Sequence, residues 1–251
     1  MRLGVCQQLM YIGLTITIGL TGFELPGHPW REGVMSDNKT TTYKGNNIDV
    51  QWDGRLCIHI GECGYSEGDL FVGGRDPWCQ PDLVTDDNVK DVVKRCPSGA
   101  LTYNDKTQGD NEKPASCNTV QVSYNGPLYI QGELHIENAP QDMPGVSYRA
   151  ALCRCGQSGN KPFCDNSHLK AGFEDYAAVG ETGSGLDAEG GKLTIKSVPN
   201  GPLLLSGNFA IVAGSGRSAW RGTQAALCRC GHSKNKPFCD GSHKDAGFEA
   251  D

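Results

Sequence analysis

Two nearly identical segments, residues 153–174 and 228–249, constrain this chain more than any other feature of its sequence. Each segment carries three cysteines and one histidine in the order C-x-C-x8-C-x3-H. The candidate ligands are Cys153, Cys155, Cys164 and His168 in the first segment, and Cys228, Cys230, Cys239 and His243 in the second. Three thiolates and one imidazole make a complete tetrahedral set that suits iron–sulfur or zinc, and spacing alone does not separate the two. The repetition predicts at least two metal centres.

The repeat extends well beyond the ligands. An ungapped shift of 75 residues aligns Asn-Gly-Pro-Leu at 125–128 with the same letters at 200–203, and it aligns every ligand with its counterpart. Alternating apolar runs on either side of these turns predict short antiparallel strands. We therefore expect a first β-rich unit over residues 119–175 and a second over 192–251, joined by a flexible polar segment at 177–191.

The overall composition excludes some functions. A net charge of -6 leaves no broad basic surface for nucleic acid. Twelve cysteines would also fit a secreted disulfide protein, but a disulfide framework has no use for a histidine at a fixed offset. We expect a reducing, cytoplasmic location and no membrane association. No nucleophile–base pair, phosphate loop or flavin fingerprint is evident, so we do not expect an enzyme.

The N-terminal part divides into two regions. Residues 1–34 are predicted to be a non-structural extension, the alternatives being a targeting segment or an ordered element. Residues 43–103 form a block in which Val50 to Trp52 predicts a short strand. The apolar spacing of three valines predicts a helix over 86–95, capped by Thr85 or Asp86 and ended by Pro97.

The repeated segment CRCGxSxNKPFCDGSH resembles the signature of the CDGSH iron–sulfur (NEET) family almost letter for letter. The resemblance implies one [2Fe–2S] cluster in each unit, held by the eight ligands named above with the histidine on the outer iron. It also implies that the units work as a pair, which we expect to form within this chain about a pseudo-twofold axis. One position departs from the signature, because Asn166 stands where the second copy has Gly241. Asparagine tolerates a positive φ, so the turn is expected to survive.

The N-terminal block resembles a divergent, single-cluster ferredoxin-like domain of the kind fused to CDGSH modules in bacteria. Ile60 occupies the place of the middle cysteine of a ferredoxin run, which leaves Cys57, Cys63 and Cys96 as a three-thiolate set. This set suits [3Fe–4S], or [4Fe–4S] with a fourth ligand from Cys79 or His59. Zinc, or no metal at all, is the alternative for this block.

These observations together predict an α+β, β-rich protein with a ferredoxin-like domain followed by two CDGSH units. We expect electron transfer, or storage and transfer of [2Fe–2S] clusters, to a redox partner protein or an apo-acceptor. Iron or redox sensing is a related hypothesis, and a zinc-stabilised interaction scaffold is the alternative from another class. A neutral ligand makes a cluster easier to reduce and can take up a proton, so His168 and His243 predict redox- and pH-sensitive clusters. Five basic residues of the ligand loops could tune the clusters, dock an acidic partner or form a solvated surface: Arg154, Lys161, Arg229, Lys234 and Lys236.

Overall fold

The computed structural model describes residues 40–251, so the expectation for residues 1–34 lies outside the described part. The N-terminal block contains an antiparallel sheet in which four strands follow one another in chain order. These strands are β1 (Thr40–Tyr43), β2 (Ile48–Asp53), β3 (Leu101–Asp105) and β4 (Asp110–Asn111). The sheet therefore continues past residue 103, where we had expected the block to end.

The predicted helix of this block is α1 (Asp86–Lys94). The Thr85 hydroxyl accepts a hydrogen bond of 3.3 Å from the Asn88 amide and caps the first turn, as predicted. Val89, Val92 and Val93 are buried against the sheet. The helix places Cys96 just beyond its last turn, facing the loop that follows β2.

The two repeat units share one sheet of seven strands, in the order β7-β9-β10-β5-β6-β8, with β11 paired to β10. The strands of the first unit are β5 (Thr119–Val122), β6 (Leu128–Gln131), β7 (Glu133–Ile136) and β8 (Arg149–Leu152). Those of the second are β9 (Lys192–Ser197), β10 (Leu203–Val212) and β11 (Ser218–Leu227). The antiparallel pairs lie within units, as the turns predicted.

Two parallel pairs, which the sequence did not predict, join one unit to the other. Ile136 of β7 pairs with Ile195 of β9, while Ile211 of β10 pairs with Val120 of β5. The 75-residue shift converts Ile136 into Ile211 and Val120 into Ile195. Equivalent strands of the two units therefore meet in the same register, each unit completing the sheet of the other.

One apolar core lies beneath the shared sheet and includes residues of both units. The segment 177–191 is not simply flexible as we had expected, because Ala177 and Val179 are buried in this core. The Arg217 side chain donates to the Val179 carbonyl oxygen at 2.9 Å, which fixes the segment further. Within residues 40–251, no helix has both the length and the apolar character that crossing a bilayer requires.

Candidate metal centres

Each ligand loop is built by the same polar side chains of the repeated motif. The Ser158 hydroxyl donates to the Phe163 carbonyl at 2.6 Å, and the Ser233 hydroxyl donates to Phe238 at the same distance. The Asp165 carboxylate accepts from the amides of Gly159 and Ser167, as Asp240 does from Lys234 and Ser242. These hydrogen bonds outweigh the effect of burial and lower the pKa of Asp165. The letters between the ligands thus shape the loop that carries them.

The four ligands of each loop form two close pairs. Cys153 Sγ and Cys155 Sγ are 3.8 Å apart, and Cys164 Sγ lies 3.5 Å from His168 Nδ1. The equivalent distances in the second unit are 3.7 Å and 3.4 Å. Two ligands on one tetrahedral ion at usual bond lengths lie about 3.8 Å apart for two sulfurs and about 3.6 Å apart for sulfur and nitrogen. Each pair is therefore spaced to hold one metal ion.

The two pairs of a loop do not merge into one fourfold set. Within residues 40–251, no three His, Cys, Asp or Glu side chains come close enough together to hold a single ion. The sequence left iron–sulfur and zinc open for this ligand set, and the pairing of its members bears on that choice. Two ligand pairs side by side fit a cluster with two iron atoms, each bound by one pair.

The surroundings of the first unit act on its ligands in opposite directions. The pKa of Cys164 is raised to about 11, chiefly by burial, which favours the thiol over the metal-binding thiolate. The amides of Gln157 and Asn166 lie 3.5 and 3.4 Å from the sulfurs of Cys155 and Cys164, where they stabilise thiolates. The Cys155 thiol, by donating to Cys153, lowers the pKa of Cys153 to about 6. Burial lowers the pKa of His168, so its imidazole is neutral at pH 7, as a metal ligand must be.

The ligand loops of the two units contact each other through a reciprocal pair of glycines. A Cβ atom at Gly156 would lie 2.5 Å from the Cys230 carbonyl oxygen, and one at Gly231 would lie 2.7 Å from the Cys155 carbonyl oxygen. Both glycines have a positive φ, of +81° and +86°. The chain reverses so tightly here that only glycine fits, and this brings the two metal-binding loops together.

One arginine follows the first cysteine ligand of each unit. These two residues, Arg154 and Arg229, are among the largest fully buried side chains of the described residues. The Arg154 guanidinium donates to the carbonyls of Ser123 and Gly126 and pairs with Asp175. Arg229 donates to Val198, Gly201 and Asp251 in the same way. A solvated surface is therefore wrong for these two residues.

Both guanidinium groups also lie close to thiols of the opposite unit. Burial lowers the pKa of Arg154, and the thiols of Cys228 and Cys155 act against this change. Burial lowers the pKa of Arg229 likewise, with Cys153 of the first unit acting in the other direction. Each unit thus places a buried positive charge near the anionic ligands of its neighbour. The sequence showed the two arginines at repeated positions, but not that they are buried.

The N-terminal block gathers the predicted three-thiolate set around Cys63. Burial, together with the nearby thiols of Cys96 and Cys57, raises the pKa of Cys63 to about 12. All three side chains are partly buried and lie between the two cores. This arrangement brings together the three cysteines selected from the sequence.

Both predicted candidates for a fourth ligand lie near this set, Cys79 near Cys63 and His59 near Cys57. Burial raises the pKa of Cys79 to about 12, and Cys63 is one of the groups that add to this change. The His59 Nδ1 atom lies 3.9 Å from Cys57 Sγ, and His59 is exposed. The choice between them stays open, with Cys79 as the buried candidate.

The N-terminal block is fixed to the first unit by Arg149, at the start of β8. Its guanidinium donates to the carbonyls of Cys96 at 2.7 Å and Leu101 at 2.9 Å, and it forms a buried ion pair with Glu112. A Cβ atom at Gly145 would overlap the Gly99 carbonyl, so the two backbones touch beside this arginine. The loop after Cys96 is therefore held by the strand that leads to Cys153.

Comparison with known proteins identifies these centres. Residues 125–169 and 200–244 each match the family model described as iron-binding zinc finger, CDGSH type. The chain therefore contains two CDGSH-type iron-binding units in tandem. Residues 43–106 match a second model, described as divergent 4Fe-4S mono-cluster, so a further cluster domain precedes the two CDGSH units. All eleven cysteines and histidines predicted as ligands, and Cys79, lie within the matched ranges.

Two relatives in Escherichia coli are similar to part of this chain. A protein of strain K12 named Uncharacterized protein YjdI is 44% identical over 72 residues, which are 29% of this chain and 95% of the relative. The protein of the same name in strain O157:H7 matches to the same extent. The family matches make the chain an iron–sulfur protein with metal-binding domains in both its N-terminal block and its repeat.

Proposed function

We propose that this protein carries electrons, stores and transfers [2Fe–2S] clusters, or does both, with three clusters in one chain. The observation that carries this proposal is the division of each CDGSH loop into two ligand pairs of tetrahedral spacing, in loops that abut through Gly156 and Gly231. Separate sites that each bind one metal ion would support neither electron transfer between clusters nor the transfer of a cluster.

The clusters are assigned to residues as follows. Each CDGSH unit holds one [2Fe–2S] cluster by its three cysteines and one histidine. Cys57, Cys63 and Cys96 hold a [3Fe–4S] cluster, or a [4Fe–4S] cluster with Cys79 as the buried candidate for the fourth ligand. The equivalent registers of the two parallel strand pairs support an intrachain pseudo-dimer of CDGSH units. The match of residues 43–106 to the divergent 4Fe-4S mono-cluster model supports a ferredoxin-like N-terminal domain.

Each cluster, when bound, takes up and gives back a single electron. The chain supplies the rest. Backbone amides next to the ligands stabilise the thiolates, and Arg154 and Arg229 offset negative charge across the unit boundary. Burial of Cys153 and Cys228, each 1% exposed, excludes water from one side of each pair. These roles need no catalytic residue, and we propose that the protein is not an enzyme.

The partner on this proposal is a redox protein or an apo-protein that accepts clusters, and neither nucleic acid nor a membrane is involved. We place the protein in a reducing compartment such as the cytoplasm, because the cysteines that hold the clusters must remain reduced. The sensitivity of the clusters to acid and to reduction, through His168 and His243, stays a prediction.

Analysis of iron, zinc and acid-labile sulfide, combined with EPR, tests the proposal. We expect roughly seven or eight iron atoms per chain, two for each CDGSH unit and three or four for the N-terminal domain. Visible absorbance should bleach with dithionite, and an EPR signal in the oxidised protein would indicate [3Fe–4S]. A colourless protein with stoichiometric zinc and no sulfide would refute the proposal in favour of a zinc-stabilised scaffold. Cys228→Ser is the matched control, because it should remove the iron of one unit alone.

A further inference from the structure

We infer that the two CDGSH units have different roles: the N-terminal domain covers the ligand pair Cys164–His168 so that the first unit retains its cluster, and the open pair Cys239–His243 makes the second unit the site of exchange. This inference rests on the proposed function, since it assigns the transfer of clusters to one of two sites that the repeat makes equivalent in sequence. The two units differ on one face, at positions that the 75-residue shift makes equivalent.

The face of the first unit is covered by the loop that follows Cys57. Ile58 packs with Ala151, Tyr129 and the ligand Cys164 in a small apolar cluster. The Asn166 side-chain amide donates to the Ile58 carbonyl at 2.5 Å, and the Asn160 amide donates to the Arg55 carbonyl at 2.7 Å. The cover therefore contacts the ligand Cys164 directly and is hydrogen-bonded to residues before and after it in the chain.

The cover is also firmly attached. Arg55 forms an ion pair of 2.9 Å with Asp142 of the first unit, in addition to the contacts of Arg149. Leu56 and Ala100 of the N-terminal domain belong to the core of the CDGSH units. Removing the cover would expose these apolar side chains and break the buried ion pair between Arg149 and Glu112. The covered state is therefore the stable one.

The same face of the second unit has no such cover among the described residues. Leu204 replaces Tyr129 and is 41% exposed, and Ala226 replaces the buried Ala151 and is partly exposed. Gly241 replaces Asn166, and a Cβ atom built there would meet nothing within 4 Å. Asn235, the counterpart of Asn160, donates instead to the exposed Glu181 carboxylate of the connecting segment.

Ligand exposure follows this difference. Cys164 is 4% exposed and His168 is 8% exposed, whereas Cys239 and His243 are both only partly buried. The first cysteines of the two units, Cys153 and Cys228, are each 1% exposed. The asymmetry is therefore confined to the outer pair, which an acceptor must reach. An open depression of about 470 Å³ also lies against His243, lined by Asn200, Lys244 and Phe248 among others.

Cysteine labelling of the full-length protein tests this assignment with a readout for each site. The iron-loaded protein is treated with N-ethylmaleimide in the presence of the iron chelator bipyridine, and proteolytic peptides are quantified over time. Peptides containing Cys164 and Cys239 differ in mass because of Asn166 and Gly241. We expect Cys239 to be labelled at least about tenfold faster, the factor that a hydrogen bond and a buried apolar contact supply together.

Two variants separate the cover from other causes. Asn166→Gly gives the first unit the residue of the second and removes only the hydrogen bond, so it should raise the labelling rate of Cys164 about threefold. Ile58→Ala removes only the apolar contact and should do the same. The double variant should bring the rate to within about twofold of that of Cys239. Gly241→Asn is the matched control and should change neither rate. Equal labelling of Cys164 and Cys239 in the unmodified protein, or no response of Cys164 to Asn166→Gly, would overturn the inference. Absence of iron would instead refute the proposed function, while the labelling order would still rank the two pairs.

Discussion

Replacing Gly156 by alanine tests whether the two CDGSH loops abut. The added methyl group would lie 2.5 Å from the Cys230 carbonyl oxygen and 3.0 Å from its carbonyl carbon. Both are backbone atoms of a metal-binding loop, so neither can move without moving a ligand. Gly216 provides a matched control, because it has the same φ of +81° and nothing within 4 Å of an added Cβ.

The expected loss of melting temperature follows from comparing Gly156→Ala with Gly216→Ala. A left-handed conformation costs an L-residue roughly 1–2 kcal/mol, and both alanine variants have this cost. Forcing a methyl group into a closed contact adds roughly 1–3 kcal/mol, and only Gly156→Ala has this second cost. A chain of this size loses about 2–4 °C of melting temperature per kcal/mol. We therefore expect Gly156→Ala to unfold roughly 2–12 °C below Gly216→Ala.

The assay records far-UV circular dichroism and visible absorbance at one heating rate, because loss of clusters makes unfolding irreversible. The double variant Gly156→Ala/Gly231→Ala should cost less than the sum of the single variants, since displacing one loop relieves both contacts. Equal melting temperatures for Gly156→Ala and Gly216→Ala, or strict additivity in the double variant, would show that the loops do not press on each other and would contradict the intrachain pair.

Three further predictions concern individual residues. Arg149→Met should lower the free energy of unfolding by about 3–5 kcal/mol because it leaves Glu112 buried without its partner, and Arg149→Met/Glu112→Gln should recover part of this loss in thermal unfolding; unchanged stability would refute a structural role for the ion pair. Cys63→Ser should abolish the N-terminal EPR signal and its iron while leaving four CDGSH irons in place, and a normal iron content would exclude Cys63 as a ligand. His168→Cys and His243→Cys should each lower the reduction potential of one cluster and slow its bleaching at mildly acidic pH, because a fourth thiolate adds negative charge; unaltered lability would refute the role of the histidines.

Local patterns predicted the elements that local forces determine. The spacing of Val89, Val92 and Val93 predicted α1 to within one residue, because three apolar side chains on one face need a sheet to cover them. Strand β8 was missed because all four of its residues are buried, so it shows no alternation. The parallel pairs between units were missed as well, since they depend on how two distant segments meet.

The sequence selected the ligands but not their environment. Repetition identified the eight CDGSH ligands, whereas the burial of Arg154 and Arg229 depends on carbonyls some 20 to 30 residues away in the chain. Asn166 illustrates the limit well. Its tolerance of a positive φ was predicted, and it has a φ of +69°. Its hydrogen bond to Ile58 joins residues 108 positions apart, which no local pattern encodes.

The difference between the two units has a simple physical origin. Only residues 112–118 separate β4 from β5, and seven residues span about 25 Å at most. The first of them, Glu112, is itself held by Arg149 in β8. A domain tethered so closely is confined to the neighbourhood of the first unit, so a gapless repeat with identical ligands acquires one covered and one open site. Asparagine at position 166 therefore has a hydrogen-bond partner in the N-terminal domain, whereas position 241 has nothing within 4 Å of an added Cβ atom.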